Sequence, residues 1–263
     1  VGETPAGATQ GDRLVRAGAW NTESNRLDRM SFGDLIRAFL VHPSVLAYAA
    51  VAAVTGVIAA MTIDQPLRAG VAILLAALIY PFAWYVLHRF VLHGTLLYKH
   101  PATARLWKRI HYDHHQDPRD LRVLFGALYT TLPTIGIIVL PVGYLLAGVG
   151  GAAGAFTSGV VMTIVYEFFH CVQHLNTAPR SKFLTRIKRL HLAHHYHDEN
   201  ANFGIIDFGW DRVFGTYRDS MRGRPRSATV FNLGYDETMA ARYPWVARLT
   251  PQPAAAERPA KTS

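Results

Sequence analysis

Four long stretches without charge limit what this chain can become more than any other feature. Residues 45–62, 69–87 and 123–150 contain no Asp, Glu, Lys or Arg, and residues 151–169 contain only Glu167. A helix needs about 20 apolar residues to cross the hydrocarbon core of a bilayer. Soluble core helices rarely run that far without a charge. The expected fold class is therefore all-α, an integral-membrane four-helix bundle with spans at about those four ranges. Half of the 263 residues are apolar, yet the net charge is +9. Both hold because apolar and basic residues are segregated along the chain.

The basic residues set an orientation. Residues 1–44 hold five Lys/Arg, residues 88–122 hold seven and residues 170–263 hold fourteen, with only Arg68 elsewhere. Cytoplasmic segments carry the Lys/Arg excess, so both termini and the 88–122 loop are expected on the cytoplasmic side. A compact basic domain apart from the spans is missing, which argues against nucleic acid as a partner. Residues 1–27 are polar, lack a secretory h-region and are expected to be disordered. Residues 28–217 form the expected membrane-embedded domain, and 218–263 a polar tail whose end, from Thr250, is disordered. The single cysteine, Cys171, excludes an internal disulfide and suits a small buried residue.

Ten of the thirteen histidines fall into four clusters. These are His88 and His93 (HRFVLH), His111, His114 and His115 (HYDHH), His170 and His174 (HCVQH), and His191, His194 and His195 (HLAHH). The second span ends at the cytoplasmic face, the third leaves it and the fourth returns, so all four clusters are expected on one side as a histidine-rich helical cap. Residues three and four apart share a helix face, so H-x3-H and both H-x2-H-H sets present their rings together. H-x4-H does not: five residues turn an α-helix by about 500°, leaving the rings about 140° apart. Those two either bracket a site or the helix loosens there. Ten imidazoles exceed the four to six ligands of one first-row ion, so two metals with open positions are the economical count. His42, beside Pro43, is expected at the interface, and His100 alone in a basic loop. His197 supports the site or faces solvent.

Imidazole suits Zn, Cu, Fe and Ni, but a closed structural zinc needs only four ligands and usually recruits Cys. Iron with dioxygen is favoured, because an unactivated C–H bond needs an oxidant that side chains cannot supply. The order of the clusters resembles the fatty acid hydroxylase/sterol desaturase superfamily of membrane di-iron enzymes, from about Pro81 to Tyr217. HHQDPRD (114–120) matches the H-H-x2-P-x-D pattern of fatty acid 2-hydroxylases, and NFG (202–204) and WDRVFGTY (210–217) belong to the same likeness. The resemblance implies metal-ligand roles for His88, His93, His111, His114, His115, His170, His174, His191, His194 and His195. It implies two iron ions, with zinc as a substitute in purified protein, and O2-dependent hydroxylation of a lipid, most closely a fatty acyl chain. It also implies electrons from an external ferredoxin- or cytochrome-type donor with its reductase. One departure is RVLFGALY (122–129), where 2-hydroxylases run to a Pro-Pro pair.

Two divalent ions among neutral ligands need nearby compensation, and ligand histidines commonly donate their second N–H to a carboxylate or carbonyl. Glu167, one turn before His170, is the first carboxylate expected there, followed by Asp113, Asp120 and Asp198. The aromatics of 210–217 suit an interfacial belt. GVGGAA (148–153) lies between spans, so it is a membrane-edge turn and not a dinucleotide site; no further cofactor site is expected. The rivals are a desaturase or a carotenoid- or sterol-type ring hydroxylase on the same site. From another class comes a membrane metal transporter or metal-binding protein, which predicts ionisable residues along the spans.

Overall fold

The computed structural model describes residues 26–249. Of the segments expected to be disordered, 1–27 and 250–263, residues 1–25 and 250–263 lie outside that range. Leu27, assigned from sequence to the loose N-terminal segment, is fully buried. Its N–H donates to Arg119 O at 2.9 Å, pinning the start of the described chain to the 117–120 loop.

A capping box starts α1 (Phe32–Leu40): Asp34 N–H donates to Ser31 Oγ at 3.2 Å, and Ser31 N–H to Asp34 Oδ2 at 3.1 Å. Leu35 and Phe39 are buried while Phe32, Ile36 and Leu40 are exposed. Proline at the first helical position opens both α2 (Pro43–Thr62) and α3 (Pro66–Val86). His42 turns out to be the cap of α2, its Nδ1 accepting from Ser44 N–H at 3.2 Å. His100 does the same before Pro101, accepting from Ala102 N–H at 3.2 Å.

Among the described residues three helices are long and apolar enough to cross a membrane. The first two bury only 17% of their most apolar window. Val54, Val57, Met61, Leu67, Leu78 and Leu145 are among the side chains left outside, an apolar surface that water would not tolerate. The third helix, α6 (Leu128–His174), has 47 residues, about 70 Å if straight and more than twice the hydrocarbon core. It is not straight. Ala147 and Gly148 leave helical geometry, Gly148 at φ 57° and ψ −148°, a region essentially confined to glycine. Past that point the chain doubles back. Gly143 and Gly151 would be about 12 Å apart along a straight helix, yet a Cβ at Gly143 would stand 2.6 Å from Gly151 O. The spans expected at 123–150 and 151–169 are thus the two arms of one hairpin, breaking where GVGGAA was read as a turn.

The hairpin is the centre against which α2 and α3 pack. Small residues allow the approach: Gly154 lies against Ile73, and Gly159 against Ile135. Hydroxyls tie the helices, with Thr55 Oγ1 2.7 Å from Thr157 Oγ1 and Tyr80 OH donating to Thr163 Oγ1 at 3.0 Å. Gly143→Ala sets a methyl against the Gly151 and Ala152 backbone and should lower stability by about 1–3 kcal/mol. Thermal unfolding in detergent checks this; an unchanged midpoint would mean that the arms separate freely.

One end of the bundle carries the cap. It comprises α4 (Pro101–Trp107), α5 (Asp113–Gln116), α7 (Lys182–Tyr196), α8 (Gly209–Val213), α9 (Glu237–Arg242) and α10 (Trp245–Leu249). The 218–249 segment, expected as a polar tail, packs into this cap. Leu233, Tyr235 and Val246 share a buried cluster with Tyr98, Trp107 and Tyr112.

Candidate metal centre

Two turns of π-helix prepare the site. α3 runs on into one at Leu87–Leu92, and α4 into another at Lys108–Tyr112. In a π turn residue i+5 bonds back to residue i, and His93 N–H donates to His88 O at 3.0 Å. The widened turn brings H-x4-H onto one face. Of the two readings open from sequence, the helix loosens.

All ten clustered histidines converge, in two sets of five. His88, His93, His111, His115 and His194 form the first nest; His114, His170, His174, His191 and His195 form the second. Within each nest one nitrogen per ring lies within 4.8 Å of all the others. The H-x2-H-H motifs do not each face one site, as sequence suggested. They straddle. His111 and His115 enter the first nest while His114 enters the second; His191 and His195 enter the second while His194 enters the first. Residues i and i+4 fall about 40° apart around a helix and i+3 falls about 60° to the other side, so one turn can serve two centres.

The nitrogens have the spacing of ligands around common points. Ligands about 2.1 Å from an ion sit about 3.0 Å apart when adjacent and about 4.2 Å apart when opposed. The Nε2–Nε2 distances are 3.2 Å for His88–His111, 2.9 Å for His93–His111, and 3.0 Å for both His114–His170 and His174–His191. Backbone carbonyls fix three rings. His88 Nδ1 donates to Phe203 O at 2.6 Å, His194 Nδ1 to Ala201 O at 2.7 Å and His115 Nδ1 to Val230 O at 3.0 Å. A proton held at Nδ1 leaves Nε2 with a bare lone pair. Nε2 of His115 and of His194 are buried without a protein partner, as are both ring nitrogens of His195. Each such group costs about 1–3 kcal/mol unless something binds it. Bare, buried and convergent nitrogens fit metal ions.

Burial first, then neighbouring imidazoles, pushes His111, His114, His191, His194 and His195 well below the ordinary histidine value. His115 is pushed down to about 3, chiefly by burial. These rings stay neutral, the form that binds metal. The unfolded chain, with ordinary histidines, is the better proton binder, so this stability is whole above about pH 6.5 and is lost as pH falls toward 3. Metal-stripped protein should therefore melt progressively lower from about pH 7 to about pH 5; a flat midpoint would contradict the burial.

The four carboxylates expected beside these rings bind elsewhere. Asp113 pairs with Lys108 at 2.5 Å, because the residue next to His114 on a helix faces another direction. Asp120 pairs with Arg122 at 2.6 Å, and Asp198 accepts from Asn200 N–H at 3.0 Å. Glu167 is buried and its Oε1 accepts from Gly126 N–H at 3.0 Å. His197 lies outside both nests, its Nε2 3.1 Å from Arg224 O. Two acids missed from sequence hold the loops instead. Asp211 accepts from Phe203 N–H at 2.8 Å, Gly204 N–H at 2.9 Å and Thr216 Oγ1–H at 2.7 Å. Glu199 accepts from Thr229 Oγ1–H at 2.5 Å and Ser227 Oγ–H at 3.0 Å, steadying the strip that carries Val230. Trp210, read as part of an interfacial belt, packs its ring 4.6 Å from Phe82.

A cavity of about 340 Å³ runs from the nests down between α3 and the α6 hairpin. His88, His111, His114 and His170 form its upper wall; Ala76, Ile79, Ile135, Ile138 and Val139 line its depth. Glu167 and the hydroxyl residues Tyr80, Thr130, Thr131, Thr134 and Thr163 interrupt a mainly apolar wall.

Fold and site together define an integral-membrane helical protein built around a double histidine nest able to hold metal, with an apolar cavity against it. The profile of the fatty acid hydroxylase family matches residues 73–216, and the chain belongs to that family. It is 33% identical over 144 residues to the ceramide very long chain fatty acid hydroxylase scs7 of Schizosaccharomyces pombe, covering 51% of this chain and 40% of that protein. It is 30% identical over 148 residues to the dihydroceramide fatty acyl 2-hydroxylase FAH1 of Arabidopsis thaliana, covering 55% and 59%. The chain thus spans about half the length of these curated relatives. A solved structure described as full length scs7p, with only the hydroxylase domain visible, shares the fold. Its TM-score is 0.55 at 24% identity, over 76% of this chain and 71% of that one.

Proposed function

We propose that this chain is a di-iron hydroxylase of lipid C–H bonds, most closely of a fatty acyl chain, using O2 and electrons from a separate protein. The ten clustered histidines hold the two ions, and the nests and both termini face the cytoplasm. The carrying observation is the cavity: an apolar channel within the bilayer whose upper wall is four of the ten imidazoles. The curated relatives, named as ceramide and fatty acyl hydroxylases, support the same reading.

Bound iron supplies the oxidant that an unactivated C–H bond requires. The chain supplies the rest. Carbonyls of Ala201, Phe203 and Val230 aim the rings, and the strip 227–233 covers the nests and keeps water from them. Cavity depth selects chain length, each buried methylene contributing about 0.8 kcal/mol. The hydroxylase unit extends past 217 to include Leu233, Tyr235 and Val246, which are part of the buried cap.

Mass spectrometry of lipids from cells with and without the chain tests this. A lipid gaining one oxygen atom is expected. Loss of two hydrogens would replace hydroxylase by desaturase, and unchanged lipids with altered metal uptake would replace both by transport.

A further inference from the structure

The metal centre has two faces. His88, His111, His114 and His170 line the lipid-side cavity, whereas His115 and His195 lie off that wall. Their rings, 4.2 Å apart, form the closest contact between the two nests. Beside His115 lies the strip whose Val230 O accepts from His115 Nδ1–H at 3.0 Å. The next residue, Phe231, is 36% exposed, and its ring lies 6.1 Å from Tyr196, the neighbour of His195. A chain of two bonded residues therefore links solvent to an imidazole of the first nest.

This outer face is basic. Arg222, Arg224 and Arg226 are all exposed, and none forms a salt bridge among the described residues. The Arg226 guanidinium stands 4.8 Å from the Phe231 ring centre, and that of Arg119 stands 6.0 Å from the Tyr196 ring centre. The arginine loop is tied down, with Arg224 O 3.1 Å from His197 Nε2 and Ser227 N–H donating to His197 O at 2.8 Å. A fixed basic rim around exposed Phe231 and half-buried Tyr196, unpaired among the described residues, suits a protein partner of opposite charge. It meets the nests at His115, which lies off the cavity wall.

We infer that this face, Arg222, Arg224 and Arg226 around Phe231 and Tyr196, is the docking surface of a small acidic one-electron carrier protein, whose electrons enter through the Val230–His115 contact. The inference rests on the hydroxylase reading. Converting C–H and O2 to C–OH and water consumes two electrons and two protons, so a one-electron carrier must dock twice per turnover and leave between visits. An electrostatic rim gives that fast, reversible encounter.

The test uses the full chain in lipid nanodiscs, with an acidic [2Fe–2S] ferredoxin and an acidic soluble b5-type cytochrome as probes. Calorimetric binding of at least one carrier, weakened by salt, is expected for the unaltered chain. The triple variant Arg222→Glu, Arg224→Glu, Arg226→Glu should raise Kd about tenfold or more with metal content unchanged. Should it fail to fold, the triple Gln variant must show the same direction. Binding of neither carrier, or equal binding by the variants, overturns the proposal. So does loss of binding to phosphatidylglycerol vesicles with carrier binding intact, which would make the face a lipid contact. Arginine-dependent carrier binding in a chain that oxidises no lipid would keep the docking surface and overturn the hydroxylase reading alone.

Discussion

His114→Ala should lower lipid hydroxylation by roughly 10³-fold or more and leave the protein holding about half its metal. His114 belongs to the second nest, its Nε2 3.0 Å from that of His170, and it also forms part of the cavity wall. Removing it takes a donor from one centre and leaves the first nest's five rings in place. Metal analysis of the purified variant beside product analysis of the same membranes separates the two effects. The span helices do not depend on this ring, so the variant stays in the membrane. Full metal content with retained turnover would remove His114 from the ligand set.

The second large effect is predicted at a residue that touches no nest. Asp211 is fully buried, and burial raises its pKa above the ordinary carboxylate value despite the hydrogen bonds that oppose the shift. Asp211→Ala strands Phe203 N–H and Gly204 N–H and takes one partner from the Thr216 hydroxyl, which keeps Tyr85 OH at 3.1 Å. Leaving buried donors unpaired costs about 3 kcal/mol or more here. The damage travels along the backbone, because Phe203 O orients His88 and Ala201 O orients His194. Metal affinity of the first nest should fall about 10–100-fold, with the second nest less affected. Thr216→Val, which removes one of the three bonds, should show the same pattern at about 1 kcal/mol. Metal titration monitored for both sites, with thermal melting, reads each part. Equal weakening of both nests would mean that the cap simply loosens.

The ten histidines were legible because metal ligation demands a rare residue at helical spacing, and rarity is what a sequence displays. Their division into two nests was not. Ideal α-helical geometry put each H-x2-H-H on one site, whereas His114 and His194 cross to the opposite nest from their motif partners. The π turn at Leu87–Leu92 was foreseen only as an alternative, since its hydrogen-bond pattern leaves no compositional mark. The orienting groups were missed for a plainer reason. Every residue owns a carbonyl, so nothing in the letters distinguishes Ala201, Phe203 or Val230. Carboxylates are conspicuous, and Glu167, Asp113, Asp120 and Asp198 drew attention that belonged to Asp211 and Glu199. The spans were legible as apolar runs; that two of them are arms of one helix broken at Ala147–Gly148 follows only from the backbone.

The crossing of His114 and His194 has a mechanical consequence. On α5 adjacent residues, His114 and His115, enter opposite nests, and on α7 His194 and His195 do the same. The gap between the nests is thereby measured out by one residue step on two rigid turns. A slip of either turn would displace rings of both nests together, so a metal held in one nest would stiffen the mount of the other.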